Sequence, residues 1–464
     1  MRIVVTGASG NVGTGVLRAL ARHMPDAQVV GVCRRPPAEG IDYERVTWHA
    51  VDLASPTASA DLAPAMQGAD VVVHLALAVQ PVRDEDYLYR ANVTGSQAVL
   101  DAIDAAGVKQ LVYASSLGIY APGAGEPVAE DWPDTGQETS VYSRHKVAVE
   151  RMLDRFAEQH PDVSIARFRP TVVVQRHASW LIKTLYLGPL VPKSALEMLR
   201  RRQLPVLPLP AGLGLQFVHA DDVGDAVVRM IEHRARGSYN VAADILDADA
   251  LAGLVGARPI AVSPRAARSV ISALSAARVI ALTPGWYDVA TNTPLMDTSK
   301  AQREIGWSPA HSSTVSAREL IEGLADDAIG SSAATGFGSS TPDIGRAVAR
   351  VHDASLLTWT GLALARAVGK RRAGVPDAIV VATNLASGTP LALDRILERR
   401  TDKVALVAPV AVLAALAATV RGGWAPVAAT AALHVLNGLE RKRRAKDPDS
   451  QPVSSLPGPG SSDR

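Results

Sequence analysis

A phenol and an ammonium stand four residues apart in the run Tyr142-Ser143-Arg144-His145-Lys146, a spacing that puts two side chains on one face of a helix. A free tyrosine ionises near pH ~10 and is a poor base at neutrality. A neighbouring ammonium favours the phenolate, and lowering the pKa by ~3 units amounts to about 4 kcal/mol of differential stabilisation. A phenol tuned this way can exchange a proton with an oxygen while the carbon bearing it is oxidised or reduced. Upstream, residues 110–114 read as a strand that ends in Ser115-Ser116, so their hydroxyls belong to the carboxyl edge of a sheet. A Tyr-x-x-x-Lys pair arises often by chance, and its weight here comes from what precedes it in the chain.

That is the run Thr6-Gly7-Ala8-Ser9-Gly10-Asn11-Val12-Gly13, placed between the first strand-like stretch and the first helical one. Gly7 permits a tight exit from the strand, Gly10 lets the backbone approach a pyrophosphate, and Gly13 lets the helix pack closely. The helix N-terminus then offers free N–H groups and a partial positive charge to the phosphates. The reading is a dinucleotide cradle. The end of the second strand selects between cofactors: an acid there would bind the ribose 2′-hydroxyl of NAD, an arginine the 2′-phosphate of NADP. This chain has Arg34-Arg35 and no acid before Glu39, which favours NADP over NAD.

These groups need a parallel sheet to carry them. Short apolar runs at 2–6, 28–33, 46–51, 70–75, 110–114 and 164–168 alternate with amphipathic stretches such as 12–23, where Val12, Val16 and Leu20 share a face. This is the signature of βαβ units. The expected fold is α/β, a Rossmann-type doubly wound sheet with a core over about 1–165 and an interleaved substrate-binding part reaching 325. Residues 330–341 read GSSAATGFGSST, a linker by composition, so 326–341 is expected to join this unit to a helical apolar extension over 342–444 and a disordered tail over 445–464.

Of the 464 residues 47% are hydrophobic and 20% charged, which excludes a disordered polyelectrolyte. With 48 basic against 46 acidic side chains nothing calls for a nucleic-acid partner. The single Cys33 fits a reducing compartment. A strand pattern from Arg2 leaves no leader peptide ahead of it, so the expected location is cytoplasmic. In the extension, 404–420 carries no charge, Arg421 sits at a tip before a second apolar run at 424–436, and Arg399, Arg400, Lys403 and 441–444 flank the pair. A hairpin of this kind would touch the inner face of a membrane; an Ala-packed helical domain accounts for it equally well.

Together Thr6–Gly13, Asp52-Leu53, His74-Leu75-Ala76, Asn92-Val93-Thr94-Gly95, Tyr113–Ser116 and Tyr142–Lys146 resemble the extended short-chain dehydrogenase/reductases, the NAD(P)-dependent epimerase/dehydratase group. The likeness continues through Arg169-Pro170, 217–222, 238–241 and 297–309 and so covers about 1–325. The resemblance implies Ser116, rather than Ser115, as the catalytic hydroxyl, Tyr142 as acid/base, and Lys146 as its tuner and a ligand of the nicotinamide ribose. It also implies cofactor contacts from Gly7, Ser9, Gly10, Asn11, Val12, Gly13, Asp52, Leu53, Leu75, Ala76 and Pro170, with Asn92 supporting the site, and a homodimer built on the Tyr142 helix. His74 and His219 are expected as structural groups, and Asp221 and Asp222 as caps of the following helix.

Departures from the group narrow the reaction. Its sugar-nucleotide dehydratases carry an Asp-Glu pair directly after the catalytic hydroxyl, where this chain has Leu117-Gly118. Arg169 and Arg176 could meet a phosphate, but 180–190 and 204–215 are mostly apolar. The expectation is hydride transfer at a secondary alcohol or ketone of a small, weakly polar substrate, with epimerisation open. The alternative is a sensor or scaffold that binds NAD(P) without turnover.

Overall fold

The computed structural model describes residues 1–338, apart from 38–39, 80–83, 124, 188–192 and 277–279. Contacts divide the chain into two units, Met1–Pro342 and Asp343–Arg464. The expected helical extension, the membrane hairpin over 404–436 and the tail lie outside the described residues. Among the described residues no helix is long and apolar enough to cross a membrane.

The first unit alternates strand and helix as its apolar periodicity requires: β1 (Arg2–Thr6), α1 (Asn11–His23), β2 (Gln28–Cys33), β3 (Val46–Ala50), α2 (Ala58–Met66), β4 (Val71–His74), α3 (Glu85–Tyr89), α4 (Gly95–Ala106), β5 (Gln110–Ala114), α5 (Val141–Gln159) and β6 (Ser164–Pro170). β7 (Val172–Val174), α6 (Ser179–Ile182), α7 (Lys193–Arg200), β8 (Val206–Pro210), β9 (Leu215–His219), α8 (Ala220–Glu232) and β10 (Gly237–Val241) follow. The main sheet has seven strands in the order β10-β6-β5-β4-β1-β2-β3, and every neighbouring pair is parallel. β4 and β5 are buried along their whole length, which is why they read as continuous apolar runs rather than alternating ones. The order reverses between β1 and β4, the switch point at whose carboxyl ends sheets of this kind bind ligands.

Six strands match the expected runs. β10 carries no clear strand pattern in the sequence, since Gly and Asn are poor strand residues; pairing with β6 overrides that and buries Tyr239, Asn240 and Val241. β11 (Ile245–Leu246), α9 (Ala248–Leu254), β12 (Arg258–Val262), α10 (Pro264–Ala276), α11 (Pro284–Asn292), α12 (Ser299–Ile305) and α13 (Ser313–Ala325) build the remainder. Two small sheets, β11-β9-β7 and β12-β8, sit there over a separate apolar cluster of Leu246, Leu251, Leu254 and Val255. Residues 326–338, expected as a linker, fold back onto the unit: Ser179 Oγ donates to the Ala328 carbonyl at 2.8 Å, and Ser332 and Thr335 are each only 1% exposed.

Candidate active site

β1 ends at Thr6 and the chain turns at Gly7, whose φ of +71° is a left-handed conformation suited to glycine. A Cβ on Gly7 would lie 2.7 Å from the Ala76 amide nitrogen. Gly10, extended at φ −85°, precedes α1, whose first turn carries no acid. A Cβ on Gly10 would meet only the Gly7 carbonyl, at 3.3 Å, so the space in front of the helix N-terminus is open to a diphosphate. A Cβ on Gly13 would sit 2.3 Å from the Ala8 carbonyl; its close contact is with the turn itself rather than the sheet. The cradle fits a dinucleotide.

Other cradle residues have protein partners. Asn11 Nδ2 donates to the Val173 carbonyl at 2.8 Å, and Gln175 Nε2 donates to Asn11 Oδ1 at 2.9 Å, so Asn11 locks α1 to β7. Ser9 shares a hydrogen bond with the Cys33 thiol, which burial raises above its ordinary pKa. Val12 is half-buried against the core. At the end of β2, Arg34 and Arg35 are both exposed; Arg34 hydrogen-bonds the Tyr87 hydroxyl and stands over that ring at 5.9 Å. Asp52 is exposed and accepts the Ala54 N–H at 3.0 Å, while Leu53 is buried beneath Gly95.

The loop after β4 holds Leu75, which is buried, and Ala76. Asn92 clamps this loop by accepting the Ala78 N–H at 2.7 Å and donating to the Ala78 carbonyl at 2.8 Å. His74 bonds Thr6 Oγ1 at 2.6 Å and Ser96 Oγ at 2.9 Å. With both ring nitrogens committed it is a structural group, and burial, aided by the Lys146 charge, pulls its pKa down to about 3. His219 itself caps α8 by accepting the Asp221 N–H at 3.2 Å. Asp221 pairs instead with Arg18 at 2.6 Å, and Asp222 accepts the amides of Ala310 and His311. The expected capping role of the two aspartates is therefore corrected: they tie α8 to α1 and to a distant loop.

The two serines at the end of β5 have different partners. Ser115 donates to buried Glu150. Ser116 Oγ accepts the Gly118 N–H at 2.9 Å and lies near enough to the Tyr142 phenol to lower its pKa. The N-terminus of α5 is fitted to that loop: Ser140 caps it, and Ser143 Oγ donates to the Gly118 carbonyl at 2.5 Å. A Cβ on Gly118 would lie 3.1 Å from the Tyr142 ring, so a side chain at this position would crowd the phenol. Lys146, 4% exposed, donates to the Ala114 carbonyl at 2.5 Å and to Tyr113 Oη at 3.3 Å.

Electrostatics here depart from expectation. Burial pushes Tyr142 up to about 12, with only Ser116 opposing it. Burial likewise pulls Lys146 down to about 7, against the attraction of Glu150. The chain's own groups therefore keep Tyr142 protonated at neutrality, because loss of hydration dominates and the Lys146 ammonium, directed at Ala114 and Tyr113, does not supply the expected effect. Arg169 is also corrected. It is 3% exposed and pairs with Glu150 at 2.9 Å, with further bonds to Tyr120 Oη and the Glu130 carbonyl; it is committed to the protein. Arg176 pairs with Asp326 at 2.5 Å. Pro170, the last residue of β6, is buried beside Val241.

Two further residues reach the site unannounced. Trp286 stacks on Tyr142 with ring centroids 4.6 Å apart, and Tyr186 meets Trp286 edge-on at 5.7 Å. Thr283 caps α11 and Pro284 opens it, while Gly285 lets it approach the Thr139 carbonyl, where a Cβ would lie at 2.4 Å. The Pro-Gly-Trp run was the available signal, legible only as a break.

A family model described as the NAD dependent epimerase/dehydratase family matches residues 3–242. The chain is 24% identical over 254 residues to a UDP-glucose 4-epimerase of Erwinia amylovora, covering 50% of this chain and 74% of that one. It is 30% identical over 207 residues to a 2-alkyl-3-oxoalkanoate reductase of Shewanella oneidensis, covering 44% of this chain and 50% of the reductase. The solved UDP-glucose 4-epimerase of Thermotoga maritima with UDP-glucose superposes at a TM-score of 0.53 and 18% identity, over 70% of this chain and 99% of that one. A UDP-glucose-4-epimerase from Stenotrophomonas maltophila with bound NAD gives 0.51 and 22%, over 70% and 98%.

Proposed function

Because the chain belongs to the NAD dependent epimerase/dehydratase family and is an NAD(P)-dependent enzyme, we propose that it interconverts a secondary alcohol and a ketone on a weakly polar substrate, with Tyr142 as acid/base. The observation that carries this is the placing of Ser116 at the Tyr142 phenol, whose pKa it lowers, with the Trp286 ring stacked on that phenol. In the reductive direction Tyr142, protonated at neutrality, donates its proton to the carbonyl oxygen, and Ser116 hydrogen-bonds the same oxygen. The nicotinamide, when bound, supplies the hydride. Lys146 holds the nicotinamide ribose with the donor that Ala114 and Tyr113 leave over. Gly7, Gly10 and the α1 amides hold the diphosphate, and Arg34-Arg35 favours NADP over NAD.

A weakly polar substrate is supported by the aromatic wall of Trp286 and Tyr186 and by the commitment of Arg169 to Glu150. The name of the Shewanella reductase points the same way. Epimerisation of a sugar nucleotide is the second reading, favoured by the UDP-glucose 4-epimerases among the relatives. A binder without turnover has no use for Ser116, Tyr142 and Lys146 together.

The deciding experiment is a screen of ketones, sterol-like alcohols and UDP-sugars, read by nicotinamide absorbance and, for the sugars, by product analysis. Tyr142→Phe lowers kcat by about 10²–10⁴-fold on the accepted substrate and leaves cofactor affinity nearly intact. Full turnover in that variant overturns the mechanism. Conversion of a UDP-sugar with no net absorbance change favours the epimerase.

A further inference from the structure

Residues 330–338 form a strap outside the family-matched region of 3–242. Gly330 N–H donates to the Thr335 carbonyl at 2.9 Å, and Ser332 and Thr335 close a reciprocal cap. One end of the strap rests on the glycine turn, where Ser332 Oγ donates to the Ser9 carbonyl at 2.6 Å. Ser332 also lies near enough to the Tyr43 hydroxyl to oppose the rise that burial gives its pKa, and Ser331 lies against Gly40, where a Cβ would come within 2.9 Å of it. The other end abuts α6: Gly336, at φ +104°, leaves room for the Trp180 ring, which a Cβ would approach to 2.7 Å.

The Ser9 carbonyl belongs to the same peptide plane as the Gly10 N–H, and that N–H donates to the Gly7 carbonyl at 3.0 Å. The plane leading into α1 is thus held from both sides, from the turn by Gly7 and from the strap by Ser332. Its orientation sets where the first free amides of α1 point, and those amides are the diphosphate ligands. Tyr43 lies in the segment joining β2 to β3, so the same serine ties the glycine turn to the connection that follows Arg34-Arg35. Glycine-rich turns lose much conformational entropy on ordering, and a turn fixed beforehand binds more tightly.

We propose that Ser332 is a positioning residue of the dinucleotide site, acting through the Ser9–Gly10 peptide, and that the strap it belongs to sets cofactor affinity. The proposal rests on the assignment of the glycine turn to NAD(P). Binding is therefore measured without substrate, in the full-length chain, by nicotinamide fluorescence with NADPH and NADH. Failure of the unaltered protein to bind either nucleotide overturns that assignment; binding that is blind to the strap overturns only the present inference.

Ser332→Ala weakens the affinity of the preferred nucleotide about 3–10-fold, the range of one lost hydrogen bond. Turnover suffers mainly through KM for the cofactor rather than kcat. The rise in melting temperature on saturation with the nucleotide shrinks in the variant, a change that a merely structural serine would not produce. Tyr43→Phe keeps the ring packed edge-on against Trp48 and weakens binding in the same direction; it decides the question if Ser332→Ala does not fold. Equal affinity and equal nucleotide-induced stabilisation in both variants, or a loss confined to kcat, overturns the inference.

Discussion

Two buried groups set the pH behaviour of the site. Tyr142 stands at about 12 and Lys146 at about 7, so between them lies a range in which the phenol is protonated and the ammonium is losing its charge. Reduction uses the protonated phenol and needs no ionisation at neutrality, whereas oxidation needs the phenolate. The expected outcome is an oxidative kcat/KM that climbs from pH 7 to pH 10, against a reductive one that is level or falling; initial rates in both directions check it, and an oxidative profile that falls with pH sinks it. The neighbouring Glu150 is opposed by its own burial but is held below the usual carboxylate range by Arg169, Ser115 and Arg167. A depressed carboxyl stabilises the fold above the unfolded value, near ~4.3, and that contribution disappears as pH drops through the folded one. Glu150→Gln, which leaves the buried Arg169 only its longer 3.7 Å pair with Asp134, costs up to about 3 kcal/mol at neutrality. Denaturant midpoints across pH test this, and the gap between variant and parent narrows in acid. Ser116, Tyr142 and Lys146 were legible in the sequence because each sits at a fixed place relative to a strand or helix end. Glu150 and Arg169 were not, since an ion pair between α5 and β6 leaves no periodic trace.

At the scale of elements, glycines decide how closely backbones meet. A Cβ on Gly15 would lie 2.1 Å from the Ala220 carbonyl, and one on Gly224 would lie 2.3 Å from the Gly15 carbonyl, so α1 and α8 cross backbone to backbone. The parallel sheet was readable from alternating runs, but this crossing was not: single glycines inside helical stretches look like weak helix formers. The same holds for α11, which carries Trp286 to Tyr142 only because Gly285 lets it settle against Thr139. Gly285→Val therefore lifts α11 and separates Trp286 from the phenol. The expected result is a higher KM for a weakly polar substrate with unchanged nucleotide affinity, at a stability cost of about 1–3 kcal/mol typical of overpacking. Steady-state kinetics paired with nucleotide titration separates the two effects, and a variant with unaltered substrate KM would remove Trp286 from the substrate wall.

For the whole molecule, composition and contact place the end of the first unit differently. Among the described residues the last α-helix stops at Ala325 and a Gly/Ser-rich stretch follows, so the chain reads as a domain ending there; contacts extend the unit to Pro342. What lies between is bonded rather than merely trailing. Asp326 pairs with Arg176 at 2.5 Å and with Arg200 at 2.9 Å, Ala328 accepts from Ser179, and Ser332 reaches Ser9. Small polar residues hide such docking from a reading of composition, because serine and glycine serve a buried hydrogen-bonded turn as well as a solvated tether. Two truncations distinguish the boundaries. A protein ending at Pro342 keeps all of these bonds and should retain the nucleotide affinity and melting temperature of the full chain. One ending at Ala325 forfeits them, leaving Arg176 and Arg200 without Asp326 and the Ser9 carbonyl without its donor, and should bind nucleotide more weakly and melt earlier. Equal behaviour of the two truncated proteins would mean that 326–342 is a tether after all, and loss of binding in both would place a necessary contribution in residues 343–464.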